Sequence, residues 1–160
     1  MRHLSNIKKI IFIPLFLLLA ACPVAQQVPQ KSPAELMALQ TREFETNKTN
    51  AISGVVAVFQ DLGFIVNTSD FNTGLITAKS PTKGNFHFFG RKMVDTRATG
   101  TVRELGNKKI RIRLNFVESN RLSFGYGMKQ ENEQPIYDAK VYQDAFNKIR
   151  NQLFIQKKTN

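Results

Sequence analysis

The stretch KIRIRLNFVE, residues 109–118, decides the predicted fold because its side chains alternate between apolar and polar. This period of two is typical of a β-strand with one buried face and one solvated face. The buried face would hold the apolar side chains of Ile110, Ile112, Leu114 and Phe116. A second strand over residues 93–105, joined through the turn sequence GNK at 106–108, completes a predicted β-hairpin.

The two strands of this hairpin must be aligned so that both apolar faces lie on the same side of the sheet. The first strand then contributes small or apolar residues to the buried face: Val94, Ala98, Gly100 and Val102. A slip of one residue would move these side chains to the solvated face, so the pattern specifies the register. In that register Arg103 lies across from, or diagonal to, Arg111 and Arg113.

The solvated face of the hairpin therefore carries a row of arginines among threonines, which we call the basic ladder. Its members are Arg97, Arg103, Arg111 and Arg113. Two interpretations of the basic ladder remain open. The charges can simply keep a sheet face solvated and protect it from edge pairing, or they can form a surface that binds anions or an acidic partner.

A first helix is predicted over residues 50–63, where apolar residues recur at helical spacing. These residues are Ile52, Val55, Val56, Phe59 and Leu62. Thr49 or Asn50 is the candidate N-terminal cap. Gly63 followed by Phe64 matches a helix end at which the glycine is left-handed and the next apolar residue folds back.

A last helix is predicted from Asp138, because one stripe of the following segment is apolar. The stripe consists of Val141 or Tyr142, Ala145, Phe146, Ile149 and Leu153. We expect this helix to end at Phe154 and Ile155, before a basic tail. Between the two helices, residues 64–68 and 74–79 are rich in β-branched residues and predict a pair of short strands.

The remaining segments, 80–89 and 119–136, are rich in polar and turn-forming residues and are predicted as loops, with at most one short strand at 122–124. The element order is therefore α-β-β-β-β-α. This order predicts a single α+β domain over residues 37–160. It would have two layers, in which an antiparallel sheet of about four strands carries an N-terminal and a C-terminal helix on one face.

The first residues of the chain have the parts of an export signal, because basic residues precede an apolar stretch over 10–21 that ends in small residues. This stretch is interrupted by Pro14 and falls short of the ~20 apolar residues that a membrane-spanning helix needs. We therefore expect residues 1–21 to be a cleaved signal peptide. Residues 22–36 would then form a flexible tether rich in proline and glutamine.

The chain has one cysteine, Cys22, which follows Leu19, Ala20 and Ala21. These residues resemble the lipobox of bacterial lipoproteins, in which the three residues before the cysteine are recognised by signal peptidase. The resemblance implies a thioether-linked diacylglycerol on Cys22 that anchors the domain to a membrane, with no other cofactor. Pro23, where an Asp would signal retention in the inner membrane, favours the outer membrane. The alternative is that Cys22 merely precedes an ordinary cleavage site.

Positive charge is concentrated in the middle of the chain. The signal segment holds three of the 23 basic residues and none of the 12 acidic ones, which leaves residues 22–160 with a formal charge of +8. Between residues 79 and 113 lie ten basic residues and only two acidic ones, Asp95 and Glu104. A cationic face favours anionic partners such as phosphorylated lipid, lipopolysaccharide, acidic cell-wall polymer or an acidic protein patch.

Three segments carry a wider resemblance: LQTREFET at 39–46, VFQDLGFIVNTSDFNTGLITAK at 58–79 and YQDAFNKIRNQLF at 142–154. They are similar to a family of small Gram-negative outer-membrane lipoproteins over roughly residues 37–155. More distantly, a helix followed by GF-x-V, G-x-I-x-A and a closing helix resembles the helix-grip domains of component C of the β-barrel assembly machine. That second resemblance implies an accessory interaction module without catalysis.

Candidate catalytic residues are few. Beyond the signal segment the chain has one histidine, His87, and its neighbours are phenylalanines in a basic segment. A Ser-His-acid triad or a metal site needs partners that this pattern does not supply. Paired acids of the glycosidase kind would require carboxylates from distant segments to meet in space, namely those of Asp61, Asp70, Glu118 and Asp144. We therefore expect no catalytic and no metal site, and the absence of a base-stacking motif argues against nucleic acid as a partner.

These observations predict a non-enzymatic lipoprotein on the periplasmic face of the outer membrane. Its expected partners are the membrane, through the N-terminal lipid, and a protein of an envelope assembly, secretion or efflux complex, to which it would be an accessory module. The alternative is a binding module for an anionic envelope component, which would be lipopolysaccharide, phospholipid or cell-wall polymer, through the basic ladder. A third hypothesis, an envelope hydrolase, would need a pocket that gathers His87 with two carboxylates.

Overall fold

The computed structural model describes residues 31–87, 90–124 and 128–159. In chain order its elements are α1 (Pro33–Gln40), β1 (Thr41–Glu45), α2 (Lys48–Asp61), β2 (Ile65–Asp70), β3 (Leu75–Lys79), β4 (Lys83–His87), β5 (Gly90–Gly106), β6 (Lys109–Ser123), β7 (Lys129–Pro135) and α3 (Ala139–Thr159). The described part of the chain begins at Lys31. The helix α1 therefore lies partly within residues 22–36, the segment assigned to the tether.

All strands of the described residues belong to one antiparallel sheet. The strand order across it is β1-β6-β5-β3-β2, while β4 pairs with the first part of β5 and β7 with the last part of β6. The predicted α+β class with an antiparallel sheet is confirmed. The expectation of about four strands is wrong, because the described part of the chain forms a sheet of seven strands.

The additional strands exist because the central hairpin is longer than its apolar pattern indicates. β5 and β6 extend past the predicted limits at residues 93 and 118 and offer unpaired backbone to β4 and β7. Every side chain of β7 is exposed, so this strand is held by backbone pairing and has no apolar alternation. The prediction of loops is therefore wrong for residues 83–87, 119–121 and 129–135, which are β-strand.

The predicted register of the hairpin is confirmed. Arg103 lies directly across from Arg111, and the buried pair Val102 and Ile112 follows at the next position. The turn at 106–108 has positive φ at Gly106, Asn107 and Lys108, with values of 88°, 50° and 57°. These left-handed conformations are typical of tight hairpin connections.

The hydrophobic core lies between the sheet and the helices α2 and α3. Its fully buried members come from α2, β3, β5, β6 and α3 and include Ile52, Val55, Phe59, Ile76, Val102, Ile112, Leu114, Phe116, Tyr142 and Ile149. Gly100 permits the close approach of α2, since a Cβ atom at this position would lie only 3.1 Å from Cγ1 of Val55. The alternation predicted for β6 is confirmed, with Ile110, Ile112, Leu114 and Phe116 buried.

The ends of α2 are set by local hydrogen bonds. Its cap is Asn47, not Thr49 or Asn50 as predicted, because the Asn47 side chain accepts a hydrogen bond of 2.8 Å from the backbone N–H of Asn50. At the other end Gly63 has φ of 81°, and the Phe64 N–H donates to the Phe59 carbonyl at 2.9 Å. This is the predicted glycine-terminated helix end, in which the apolar residue folds back.

The last helix begins where the sequence indicates, since Asp138 accepts a 2.8 Å hydrogen bond from the backbone N–H of Lys140. Tyr142 is fully buried, whereas Val141 is 36% exposed, so Tyr142 belongs to the core stripe. α3 does not end at Phe154 and Ile155 but continues to Thr159. Basic residues in its last turn favour this extension by interacting with the helix dipole.

Asp95 lies on the sheet face that was predicted to be solvated, yet it is only 3% exposed. Its carboxylate forms an ion pair with Arg121 of β6 and a second one with Lys79 of β3 at 3.4 Å. Buried carboxylates need such compensation because removal from water is costly. Asp95 therefore joins three neighbouring strands at the level where the hairpin leaves the helices.

Candidate anion-binding groove

The basic ladder lies on the sheet face opposite to the helices α2 and α3, because its members alternate with buried core residues. Arg103 and Arg111 face each other, and the neighbouring row pairs Thr101 with Arg113. Arg97 pairs with Val117 further along the hairpin. At ~3.3 Å per residue, Arg97 lies about 20 Å from Arg103 along β5, so the ladder is not one continuous cluster.

The helix α1 stands beside this face and turns part of it into a groove of about 940 Å³. The lining residues are Ala34, Met37 and Ala38 from α1, Thr41, Arg42 and Glu43 from β1, and Thr99, Thr101, Arg103, Arg111, Arg113 and Asn115 from the hairpin. One wall is therefore apolar, while the floor is polar and basic. Three members of the basic ladder line the groove, and Arg97 does not.

The start of α1 is specified by a capping box at Ser32. The Ser32 hydroxyl accepts from the backbone N–H of Glu35 at 3.3 Å, and the Glu35 carboxylate accepts from the Ser32 N–H at 2.7 Å. The hydrogen bond from the Ser32 backbone N–H, and after it the Ser32 side chain, lower the pKa of Glu35. Their contribution is present above the pKa of the unfolded chain and is lost as the pH falls through the folded pKa, so acidification loosens this wall.

The end of α1 is tied to the groove floor through Gln40, which is only 5% exposed. The Gln40 side-chain oxygen accepts hydrogen bonds from Nε and Nη2 of Arg113 at 3.3 and 2.9 Å. The Gln40 side-chain nitrogen donates to Oδ1 of Asn115 at 3.3 Å. Arg113 is therefore positioned by a neutral amide, which does not compensate its positive charge.

The other arginines of the groove differ in how far their charge is compensated. Arg111 donates from Nε and Nη2 to one oxygen of Glu43, at 3.2 and 2.8 Å, and is neutralised by it. Within the described parts of the chain, the side chain of Arg103 makes no hydrogen bond and no ion pair. The guanidinium of Arg42 lies 5.4 Å from the ring centre of Phe146, so it is directed to the core side of the sheet edge.

The groove floor therefore presents three guanidinium groups against one carboxylate, and it is positive. Guanidinium forks bind carboxylates and phosphates through two parallel hydrogen bonds. The hydroxyls of Thr99 and Thr101 lie on the same face and can donate further hydrogen bonds. Like charges directly opposite each other are unfavourable, so an anion between Arg103 and Arg111 would relieve their repulsion. The arrangement is suited to binding an anionic group beside an apolar one.

Arg97, the remaining member of the basic ladder, is engaged elsewhere. Its Nη2 lies 3.0 Å from an oxygen of Glu133 on β7, and both side chains are about half exposed. Neither Glu43 nor Glu133 was identified from the sequence as a partner of the ladder, since both lie on strands that the apolar pattern did not predict. The capping-box sequence Ser32-Pro33-Ala34-Glu35 is a signal that could have predicted α1 and with it the apolar wall.

The remaining candidate residues lie apart from this groove. The lipobox residues Leu19, Ala20, Ala21 and Cys22 fall outside the described residues. His87 is the last residue of β4, and its side chain is likewise outside the description. Over residues 31–87, 90–124 and 128–159, no three or more acidic, His or Cys side chains are grouped closely enough to hold a metal ion.

The acids considered for a hydrolase each have a contact of their own. The Asp61 carboxylate accepts from Gln152, that of Glu118 from Asn120, and that of Asp144 pairs with Lys140. The hydroxyl of Thr73, followed by backbone N–H groups of the β2–β3 turn, lowers the pKa of Asp70. These contacts lie at separate places in the fold: between α2 and α3, within β6, within α3 and in the β2–β3 turn.

No helix within the described ranges combines the length and the apolar character that crossing a bilayer requires. No family model and no curated protein matches the chain. Among solved structures, the chain is similar to a DUF4468 family protein from Bacteroides ovatus, with 10% sequence identity and a TM-score of 0.39. The similar region covers 78% of this chain and 96% of that one.

Proposed function

We propose that the chain is a non-enzymatic lipoprotein, anchored at the periplasmic face of the outer membrane through Cys22, that serves as an accessory interaction module. Its groove would bind an acidic segment of a partner protein in an envelope assembly, secretion or efflux complex. The observation that carries the proposal is the groove of about 940 Å³ between α1 and the arginines of β5 and β6. Its size is that of an ordinary ligand-binding cleft, which spans ~300–1,000 Å³.

Arg103 is the residue on which this proposal depends most. Arg111 already forms an ion pair with Glu43, and Arg113 is hydrogen-bonded to Gln40, whereas the Arg103 side chain makes no polar contact within the described segments. An incoming carboxylate would bind most favourably to the Arg103 guanidinium, because no existing side-chain interaction has to be broken. Charge-assisted hydrogen bonds of this kind contribute ~1.5–3 kcal/mol each.

One observation favours a second candidate function. The apolar wall of Ala34, Met37 and Ala38 stands beside the arginines, and Met37 is 59% exposed. An amphiphile with a phosphate and acyl chains, such as a phospholipid or lipopolysaccharide, would meet both surfaces at once. Binding of an anionic envelope component is therefore the alternative function of the same groove.

Charge reversal at Arg103 tests the groove. Arg103→Glu should weaken binding of a fluorescent oligoglutamate peptide by about tenfold or more, because one charge-assisted pair is lost and a repulsion is added. The matched control is Arg97→Glu, which makes the same change of charge on the same sheet face outside the groove and should change the affinity less than about twofold. Fluorescence anisotropy at constant ionic strength measures both.

The same titration separates the two candidate functions. One result is that binding of lipopolysaccharide micelles or phosphatidylglycerol vesicles depends on Arg103 while binding of the peptide does not. That result would assign the groove to an anionic envelope component. Unchanged binding of all these probes by Arg103→Glu would contradict both functions. Crosslinking in native envelope, with wild type and with Arg103→Glu, would identify the protein partner. The partner is the crosslinked band that is present with wild type and absent with the variant.

The membrane anchor has a separate test. Cys22→Ala should abolish incorporation of labelled palmitate and leave an unprocessed precursor, because the acylated thiol is removed. Labelling in growing cells followed by immunoprecipitation measures this, and wild type is the positive control. Normal labelling of the Cys22→Ala protein would refute the lipoprotein assignment without affecting the groove.

A further inference from the structure

The last turns of α3 expose two large apolar side chains. Phe154 is 59% exposed and Ile155 is 57% exposed, although both lie in a regular helix whose opposite side packs into the core. The core stripe of α3 is completed by Tyr142, Phe146 and Ile149 without them. Among the described residues, Phe154 and Ile155 are therefore not members of the buried core, although both are large and apolar.

The same helix end is strongly basic. Residues 145–159 contain Lys148, Arg150, Lys157 and Lys158 and no Asp or Glu. The ammonium group of Lys158 lies 4.6 Å from the ring centre of Phe154. Favourable interaction with the helix dipole explains lysines in the last turn, but it does not explain exposed apolar side chains between them. A helix that combines both features is typical of peripheral contact with anionic membranes.

We infer that the C-terminal end of α3 lies on an anionic phospholipid surface, with Phe154 and Ile155 inserted at the headgroup level and the lysines contacting lipid phosphates. A bilayer is the proposed partner because the charges are complementary: anionic phospholipid surfaces attract basic segments at the membrane–water boundary. The lysine stems are long enough to reach the headgroups while Phe154 enters the acyl boundary. The contact involves no groove residue.

The length of the chain allows this contact and a lipid anchor at once. Phe154 lies about 22 Å along α3 from Ala139 at ~1.5 Å per residue. Lys31, the first described residue, lies near the beginning of α3, since its ammonium group donates to the Tyr137 carbonyl at 2.8 Å. The tether that the sequence predicts after Cys22 would span about 28 Å to Lys31 at ~3.1 Å per residue. The lipid anchor at Cys22 is the one part of this inference that rests on the proposed function.

A tryptophan probe tests the inference directly, because the chain contains no natural tryptophan. In Phe154→Trp, the single indole should show a blue-shifted emission on vesicles of phosphatidylcholine with phosphatidylglycerol, and brominated lipids should quench it. The control is Phe124→Trp, at an aromatic position directly after β6 that is 39% exposed and should be quenched less than about half as strongly. Each tryptophan is introduced separately, once into the lipidated protein and once into Cys22→Ala protein.

The outcomes separate the membrane contact from the lipid anchor. Quenching at position 154 in lipidated and Cys22→Ala protein alike supports the contact, whatever the fate of the anchor. Flotation of the lipidated protein without preferential quenching at position 154 overturns the contact and leaves the anchor intact. Equal quenching on vesicles of phosphatidylcholine alone overturns the assignment to an anionic surface. Lys157→Gln with Lys158→Gln should lower the quenching at position 154 of the lipidated protein on anionic vesicles to about half or less, because the lysines supply the attraction to the lipid phosphates.

Discussion

Replacing Gly74 with alanine is expected to lower the free energy of unfolding by about 3–5 kcal/mol. Gly74 has a left-handed backbone with φ of +74°, and a Cβ atom there would collide with the carbonyl oxygen of Val102. The Val102 segment cannot easily move away, because its N–H donates to the Gly74 carbonyl at 2.8 Å. Backbone strain and the collision therefore add at one position.

Gly63 provides the matched control for this variant. It has a similar φ of +81°, but nothing lies within 4 Å of the position that a Cβ atom would occupy. Gly63→Ala should therefore cost only the strain of the left-handed conformation, about 1–2 kcal/mol. Urea unfolding followed by circular dichroism measures both variants. Equal losses of stability would show that contact with the Val102 carbonyl contributes nothing.

Phe116→Ala should cost about 3–5 kcal/mol of the free energy of unfolding, because it leaves a large cavity at the centre of the core. The ring of Phe116 lies 6.3 Å from that of Phe59, 6.2 Å from that of Phe64 and 5.3 Å from that of Tyr142. It therefore joins the sheet to both packed helices. The variant should also lose the near-ultraviolet circular dichroism of the aromatic cluster.

The control for Phe116→Ala is the same substitution at Phe71, which is 49% exposed in the β2–β3 turn. Phe71→Ala should change the free energy of unfolding by less than about 0.5 kcal/mol, since little apolar surface is lost to water. Chemical unfolding at one protein concentration compares the two. A Phe116→Ala protein as stable as the Phe71→Ala protein would contradict the placement of the core.

The parts of the fold that the sequence predicts are those in which side-chain periodicity carries the signal. The alternation of residues 109–118 locates the buried face and the register of β6, and the glycine at 63 locates the end of α2. The apolar stripe of α3 is equally visible, although its end is not, because residues after Ile155 are polar and a helix can continue as a solvated one. These elements bury their own apolar residues, so their pattern is sufficient.

The missed elements are held by something other than their own side chains. β4 and β7 exist because the long hairpin strands offer backbone hydrogen bonds beyond the helix-covered region. The strand β1 similarly pairs with residues 109–113 of β6. Long-range backbone pairing leaves no periodic mark on a polar segment, so such strands could not be predicted from the pattern.

The candidate site was predicted in part. The alternation that defines the core also places Arg103, Arg111 and Arg113 on one face, and the structure brings these three together in the groove. Their partners Glu43 and Gln40 come from a strand and a helix more than 60 residues earlier. Whether an arginine has a partner that compensates its charge therefore depends on the tertiary structure. It cannot be predicted from the spacing of residues along the chain.

The direct opposition of Arg103 and Arg111 makes the thermal stability of the protein a reporter of groove occupancy. A ligand that binds only the folded state stabilises it, by about 2.7 kcal/mol when its concentration is a hundredfold above Kd. Relief of the repulsion between the two guanidinium groups by a bound anion is part of the binding free energy and lowers the Kd of that anion. Melting temperatures over a panel of anionic compounds can therefore rank ligand classes before any partner has been isolated, with Arg103→Glu as the reference that should not respond.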